Sequence, residues 1–148
     1  MNELIRIEHL WKVFGGRRDA DPETLLQDPL ARVAIRDVSL TIGEGEIFVV
    51  MGLSGSGKST LLRMVNGLIQ PSAGEILVSG RHLKDLSASE LRMLRRRSMA
   101  MVFQSFALFP HRSALENAAF GLEVAGMPKR QRQERAQQAL ERVGLGND

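Results

Sequence analysis

Eight consecutive residues carry the most explicit chemistry in this chain. Gly52-Leu53-Ser54-Gly55-Ser56-Gly57-Lys58-Ser59 satisfies G-x-x-x-x-G-K-[ST] at every fixed position. Gly52, Gly55 and Gly57 carry no Cβ, so the loop is free to take positive φ and to wrap closely around phosphate oxygens. Its backbone N–H groups form a nest of partial positive charge, and a helix starting near Ser59 aims its unpaired amides at the same anion. Lys58 adds a full charge for the β- and γ-phosphates, the Ser59 hydroxyl is a ligand for Mg²⁺, and Thr60 is placed to donate to an α-phosphate oxygen. Gly52, Ser54, Gly55, Ser56, Gly57, Lys58, Ser59 and Thr60 are therefore expected to hold the polyphosphate of a nucleotide. A plain glycine turn is the simpler alternative, but such a turn needs neither the lysine nor the hydroxyl at these offsets.

The motif means this only if it follows a buried strand and opens a helix. Ile47 to Met51 is five apolar residues without alternation, the pattern of a central strand covered on both faces. Beyond the loop, Leu61, Leu62, Val65, Leu68 and Ile69 recur at helical spacing. Upstream, Leu4 to Phe14 is strand-like, and Val38, Leu40 and Ile42 alternate with Asp37, Ser39 and Thr41 as in a half-buried antiparallel strand. Between them residues 17–32 form a polar insert in which Asp21-Pro22-Glu23-Thr24 opens one short helix. Downstream, a short strand spans Glu75 to Val78 and a second continuous apolar strand spans Met99 to Phe103. Ser87-Ala88-Ser89-Glu90 and Ser113-Ala114-Leu115-Glu116 have capping-box spacing and each predicts a helix start. Gly126 stops the second of these helices, and Pro128 stands as the first residue of a last one carried by Ala136, Ala139, Leu140 and Val143 to Gly144.

Composition excludes several classes. The chain has 148 residues, 43% hydrophobic and 25% charged, enough for a domain with its own core. No apolar run approaches the roughly 20 residues of a membrane-spanning helix, and Glu3, Arg6 and Glu8 break any signal-peptide pattern. The absence of cysteine rules out disulfides, thiolate metal sites and a cysteine nucleophile, and His9, His82 and His111 lack metal-ligand spacing. Residues 1–80 hold 8 basic and 10 acidic side chains, and residues 81–148 hold 12 and 7. The basic half lacks interleaved aromatics, so no nucleic-acid partner is expected. Arg95-Arg96-Arg97 reads as a solvated helix end.

Residues 43–70, centred on the phosphate loop, resemble the nucleotide-binding subunit of an ABC (ATP-binding cassette) transporter. Met99-Ala100-Met101-Val102-Phe103-Gln104-Ser105-Phe106-Ala107-Leu108-Phe109-Pro110-His111 resembles the same family's Q-loop strand and its continuation. More narrowly, Val49 to Ser54 and Phe103 to His111 are similar to the branch importing glycine betaine, proline and related quaternary amines. The resemblance implies an α/β fold: a P-loop NTPase core with an antiparallel β-subdomain at the N-terminus and the start of a helical subdomain. Residues 1–148 would be the N-terminal part of one truncated ATP-binding domain, with the phosphate loop at 52–59, the Q-loop around 104 and a partial helical subdomain at 113–148. It implies ATP and Mg²⁺ as cofactors. Phe14 matches the aromatic position that stacks on adenine, and Gln104 matches the glutamine that ligates Mg²⁺ and orients water near the γ-phosphate. Lys58 and Gln104 are then the expected catalytic residues, and Ser59 and Gln104 the metal ligands.

The same resemblance implies partners: a transmembrane permease subunit received in a groove near Phe106, Leu108 and Phe109, a second ATPase subunit, and indirectly a substrate-binding protein. It implies a place at the cytoplasmic face of the membrane. The family's Leu-Ser-Gly-Gly run, its strand ending in Asp-Glu and its switch histidine do not occur in these 148 residues. The chain is therefore expected to bind ATP but to hydrolyse it negligibly alone, and to leave Met99–Phe103 short of strand neighbours. The competing reading is a non-catalytic nucleotide-binding or interaction module, or an ATPase of another substrate branch.

Overall fold

The computed structural model describes residues 2–16, 21–105 and 107–146. They fall into two compact units, residues 1–99 and 100–148. In the first unit, β1 (Glu3–Phe14), β2 (Arg32–Gly43), β3 (Ala73–Val78) and β4 (Arg81–His82) form an antiparallel sheet in the order β2-β1-β3-β4. The alternation expected of β2 holds from Asp37 to Ile42, its apolar positions half-buried and its polar ones exposed.

β1 cannot alternate throughout, because Leu10 and Trp11 are adjacent and both buried. The strand is bulged at His9, with φ of 47°, and the register with β2 slips between Ile7 and Leu10; Leu10 joins Ile7 in the core, while Trp11 is buried outside that cluster. The bulge is pinned from β2: His9 N–H donates to Ser39 Oγ at 2.9 Å, and the imidazole Nδ1 lies 2.9 Å from Asp37 Oδ1. Gly74 passes the bulge on the other side, where a Cβ would sit 2.2 Å from the His9 carbonyl oxygen. Only glycine fits there.

Two helices close the core of this unit. α1 (Lys58–Val65) buries Leu61 and Met64, and α2 (Ala88–Ser98) buries Leu94, against Ile7, Leu10, Ile35 and Ile76 of the sheet. α1 is shorter than its sequence pattern predicts. Gly67, at φ of 62°, ends it: Leu68 N–H donates to Arg63 O and Gly67 N–H to Met64 O, both at 2.8 Å, a Schellman arrangement. Leu68 and Ile69 therefore lie beyond the helix, and Leu62 faces solvent instead of the core. The arginine run 95–97 forms the last turn of α2, where Arg95 Nη1 donates to Gly67 O at 3.2 Å.

Of the insert, residues 17–20 lie outside the described residues. Thr24–Gln27 forms one 3₁₀ turn with Leu25 buried, in keeping with the short helix expected after Asp21.

Two expected strands are not strands. Residues 47–51 and 99–103 join no ladder among the described residues, so of the two contexts expected of the phosphate loop the structure shows the helix that opens at Lys58 and not the buried strand before it. Ile47 is 91% exposed and Val102 97%. An apolar run specifies a strand only where a partner supplies the facing N–H and C=O groups, and the described residues supply none. The apolar exposure expected at Met99–Phe103 is present at Val102 and Phe103.

The second unit is a helix pair, α3 (Ala114–Val124) and α4 (Lys129–Arg142). Pro128 is the N-cap of α4, not its first residue. The buried face of α4 centres on Ala136, while Val143 is exposed past the helix end, so the expected stripe is narrower than its sequence suggested. Asn117 clasps the turn before α3: its Nδ2 donates to the carbonyls of Phe109, Arg112 and Ser113, and its Oδ1 accepts from Phe109 N–H at 2.8 Å. Among the described residues no helix is long and apolar enough to cross a membrane.

Both predicted capping boxes form. Ser87 Oγ accepts from Glu90 N–H and Ser113 Oγ from Glu116 N–H, while each glutamate accepts from the N-cap amide. The Ser113 amide and hydroxyl hold the Glu116 carboxyl below its ordinary pKa of 4.5. A depressed carboxyl stabilises the fold above its unfolded pKa and loses that contribution as pH falls through the folded value. Helix content of the second unit should therefore decline between about pH 4.5 and lower values. Ser113→Ala should cost about 1 kcal/mol at neutral pH and flatten that acid-sensitive step. Circular dichroism melts across the pH range check both, and an unchanged stability at neutral pH in Ser113→Ala would refute the role of Ser113 as the cap.

Candidate functional site

The phosphate-loop residues sit where β1, β2 and α1 converge. A cleft of about 370 Å³ is walled on one side by residues 55–60 and on the other by Phe14, Arg32, Val33 and Ala34. None of these lining residues bears a carboxylate.

The glycines of the loop are not equivalent. Gly55 and Gly57 adopt φ of 81° and 91°, the left-handed region that favours glycine. Gly57 is also crowded: a Cβ there would lie 2.2 Å from the Ala34 carbonyl oxygen. Gly52 is not in that region. A Cβ there would come within 2.6 Å of Ser56 Oγ, the end of a side chain that can rotate aside. The expectation of positive φ at Gly52 is therefore corrected: of the three glycines, Gly55 and Gly57 take it.

Gly57 is the N-cap of α1 and supplies no side-chain cap. The amides of residues 58–60 open the helix and have no intrahelical acceptor, and among the described residues no backbone carbonyl receives them. Leu61 N–H is the first to be satisfied, by Gly57 O at 2.9 Å. The Lys58 ammonium is folded back into the loop, donating to Gly52 O at 2.8 Å and to Leu53 O at 2.7 Å. Unpaired amides, an ammonium and no facing acid make a cradle that suits a polyphosphate. The Ser59 hydroxyl and the Thr60 side chain stand at the same helix start, Ser59 exposed. Ser54 precedes the cradle in an exposed turn and does not line the cleft.

Phe14 ends β1 at 43% exposure and lines the cleft, so it is not a core residue. Lys12 Nζ lies 5.0 Å from its ring centroid and donates to Gln70 O at 2.8 Å, which fixes one cation against the ring. Trp11, one residue earlier, is buried. Phe14 and the phosphate loop, 38 or more residues apart in sequence, are thus brought to one cleft by the β1–β2 pairing.

Gln104 belongs to the second unit, where it is exposed in a turn. In that unit Phe109 packs on Phe120 of α3 with ring centroids 4.6 Å apart, and Arg112 lies 5.4 Å from the Phe109 centroid. Leu108 is exposed. Phe106 lies outside the described residues. Among the described residues no group of three or more His, Cys, Asp or Glu is arranged to hold a metal ion. Sequence reasoning missed Lys12 and Arg32, which carry no motif. Only the strand register, with Arg32 opposite Phe14, brings Arg32 to the cleft.

A family model described as ABC transporter matches residues 35–148. The chain is 45% identical to the glycine betaine/proline betaine transport system ATP-binding protein ProV of Salmonella typhimurium, over 97% of this chain and 38% of that protein. It is 43% identical to the glycine betaine transport ATP-binding protein OpuAA of Bacillus subtilis, over 95% of this chain and 36% of that protein. It is also 47% identical to the methionine import ATP-binding protein MetN 2 of Yersinia pestis, over 84% of this chain. Among solved structures, the ATP-binding cassette MJ0796, a dimer bound to ADP and Pi, superposes with a TM-score of 0.79 at 31% identity, covering 93% of this chain and 56% of that one. The chain thus spans well under half the length of the curated relatives it matches.

Proposed function

This chain belongs to the ABC transporter family, and on that premise we propose that residues 52–60 hold the triphosphate of ATP within the ATP-binding subunit of an importer. The observation that carries the proposal is the cleft in which the open amides of α1, Lys58 and Phe14 meet and which no carboxylate lines among the described residues. The amides and Lys58 take the phosphates, and Phe14 offers a π face to adenine. When Mg²⁺ accompanies ATP it neutralises phosphate charge. Ser59 is the ligand we propose at the loop, and the family's pattern separately assigns a ligand role to Gln104 of the second unit.

Likeness to ProV and OpuAA supports glycine betaine, proline betaine or a related quaternary amine as the imported substrate. The likeness to MetN 2 supports an amino-acid importer as the second reading. Uptake of radiolabelled glycine betaine against methionine, by a transporter assembled with the full-length subunit, separates the two. The proposed partners are a transmembrane permease engaging the region of Phe106, Leu108 and Phe109, a substrate-binding protein acting through it, and a second ATPase subunit, as in the MJ0796 dimer. This places the protein peripherally at the cytoplasmic face of the membrane.

The 148-residue chain alone should bind ATP without turning it over. The residues lining the cleft provide no carboxylate to polarise an attacking water, and phosphoryl transfer depends on such positioning. Titration with a fluorescent ATP analogue should saturate, while phosphate release should stay at the uncatalysed background. Sustained phosphate release would overturn this, and absence of saturable binding would overturn the assignment of the loop.

A further inference from the structure

We propose that Arg32 is a specificity-determining residue that donates hydrogen bonds to the nucleoside portion of the bound nucleotide. The proposal rests on the reading of residues 52–60 as the triphosphate cradle. With the phosphates on that wall of the cleft, the nucleoside extends to the opposite wall, formed by the ends of β1 and β2. There Phe14 is paired directly with Arg32 across the ladder. Directly paired residues place their side chains on one face of a sheet, about 5 Å apart at Cβ. Both line the same cleft as Gly55 to Thr60.

The other cation near the ring is already committed. Lys12 is tied to the Gln70 carbonyl and sits against Phe14. Arg32 is different: its side chain is exposed, and among the described residues it has neither a carboxylate partner nor a side-chain hydrogen bond. Its planar fork of five N–H donors is longer than the phenyl ring beside it. A base stacked on Phe14 presents ring-nitrogen acceptors at its edge, and the ribose presents hydroxyl oxygens. Both groups suit a donor-only fork, and among the described residues no carboxylate lines the cleft to compete for it.

Tripolyphosphate, which has the phosphates without the nucleoside, separates this role from simple charge. Calorimetric titrations of the 148-residue chain with ATP and with tripolyphosphate should show Arg32→Gln weakening ATP by about tenfold. Tripolyphosphate affinity should move less than about twofold. Arg32→Lys keeps the charge but not the fork, and should recover only part of the ATP affinity. The proposal is overturned if ATP affinity is unchanged in Arg32→Gln. It is equally overturned if both ligands weaken together, which makes Arg32 a phosphate cation, or if Arg32→Lys restores ATP fully. Failure of the wild-type chain to bind tripolyphosphate would instead strike the phosphate-loop reading itself, and this proposal would fall with it.

Discussion

Lys58→Ala should weaken ATP binding by about 10- to 100-fold while leaving the fold intact. A hydrogen bond from an ammonium to a phosphate oxygen contributes about 1.5–3 kcal/mol, and each 1.4 kcal/mol is a factor of ten. The fold should not notice the change. Among the described residues Lys58 Nζ donates to the loop itself, to the carbonyls of Gly52 and Leu53 and the Ser56 hydroxyl, and the core contacts of α1 run through Leu61 and Met64. Thermal unfolding of the variant should therefore match the wild type while the titration curve moves. An ATP affinity within twofold of wild type would remove Lys58 from the site.

Gly57→Ala should do the opposite, damaging fold and binding together. Alanine at φ of 91° is strained, and its Cβ would stand 2.2 Å from the Ala34 carbonyl oxygen and 2.9 Å from Ile35 Cδ1. Relief requires α1 to move away from β2, which opens the packing around Ile35 and Leu61. The combined cost is about 2–4 kcal/mol, from the left-handed backbone and the overpacking. Gly55→Ala is the control: φ is 81°, but a Cβ there meets nothing within 4 Å. It should pay only the backbone strain of about 1–2 kcal/mol. Parallel thermal melts and ATP titrations of the two variants check the ranking, and equal destabilisation would show that the contact with Ala34 does not matter.

The phosphate loop was legible because its fixed residue types answer geometric demands that local sequence states outright: two left-handed glycines, one of them also crowded, and a lysine at the helix start. The capping boxes at Ser87 and Ser113 were legible for the same reason, since both hydrogen bonds of each box lie within four residues. What needed the structure was long-range. The run Ile47–Met51 is apolar enough for a central strand, yet hydrophobicity does not state a pairing partner, and among the described residues these find none. The end of α1 was hidden because Leu68 and Ile69 continue the helical period through the glycine that stops it. The β1 bulge depends on Asp37 and Ser39, some 30 residues away. Arg32 reaches the cleft only through the register set across the insert between Gly15 and Arg32.

The most direct test of the account is to record the backbone amide resonances of the ¹⁵N-labelled chain while tripolyphosphate is added. The amides of residues 55–60 should shift and saturate together, with Lys58→Ala moving the midpoint to about 10- to 100-fold higher ligand. Shifts confined to other residues, or none at saturating ligand, would contradict the claim that this loop grips a triphosphate.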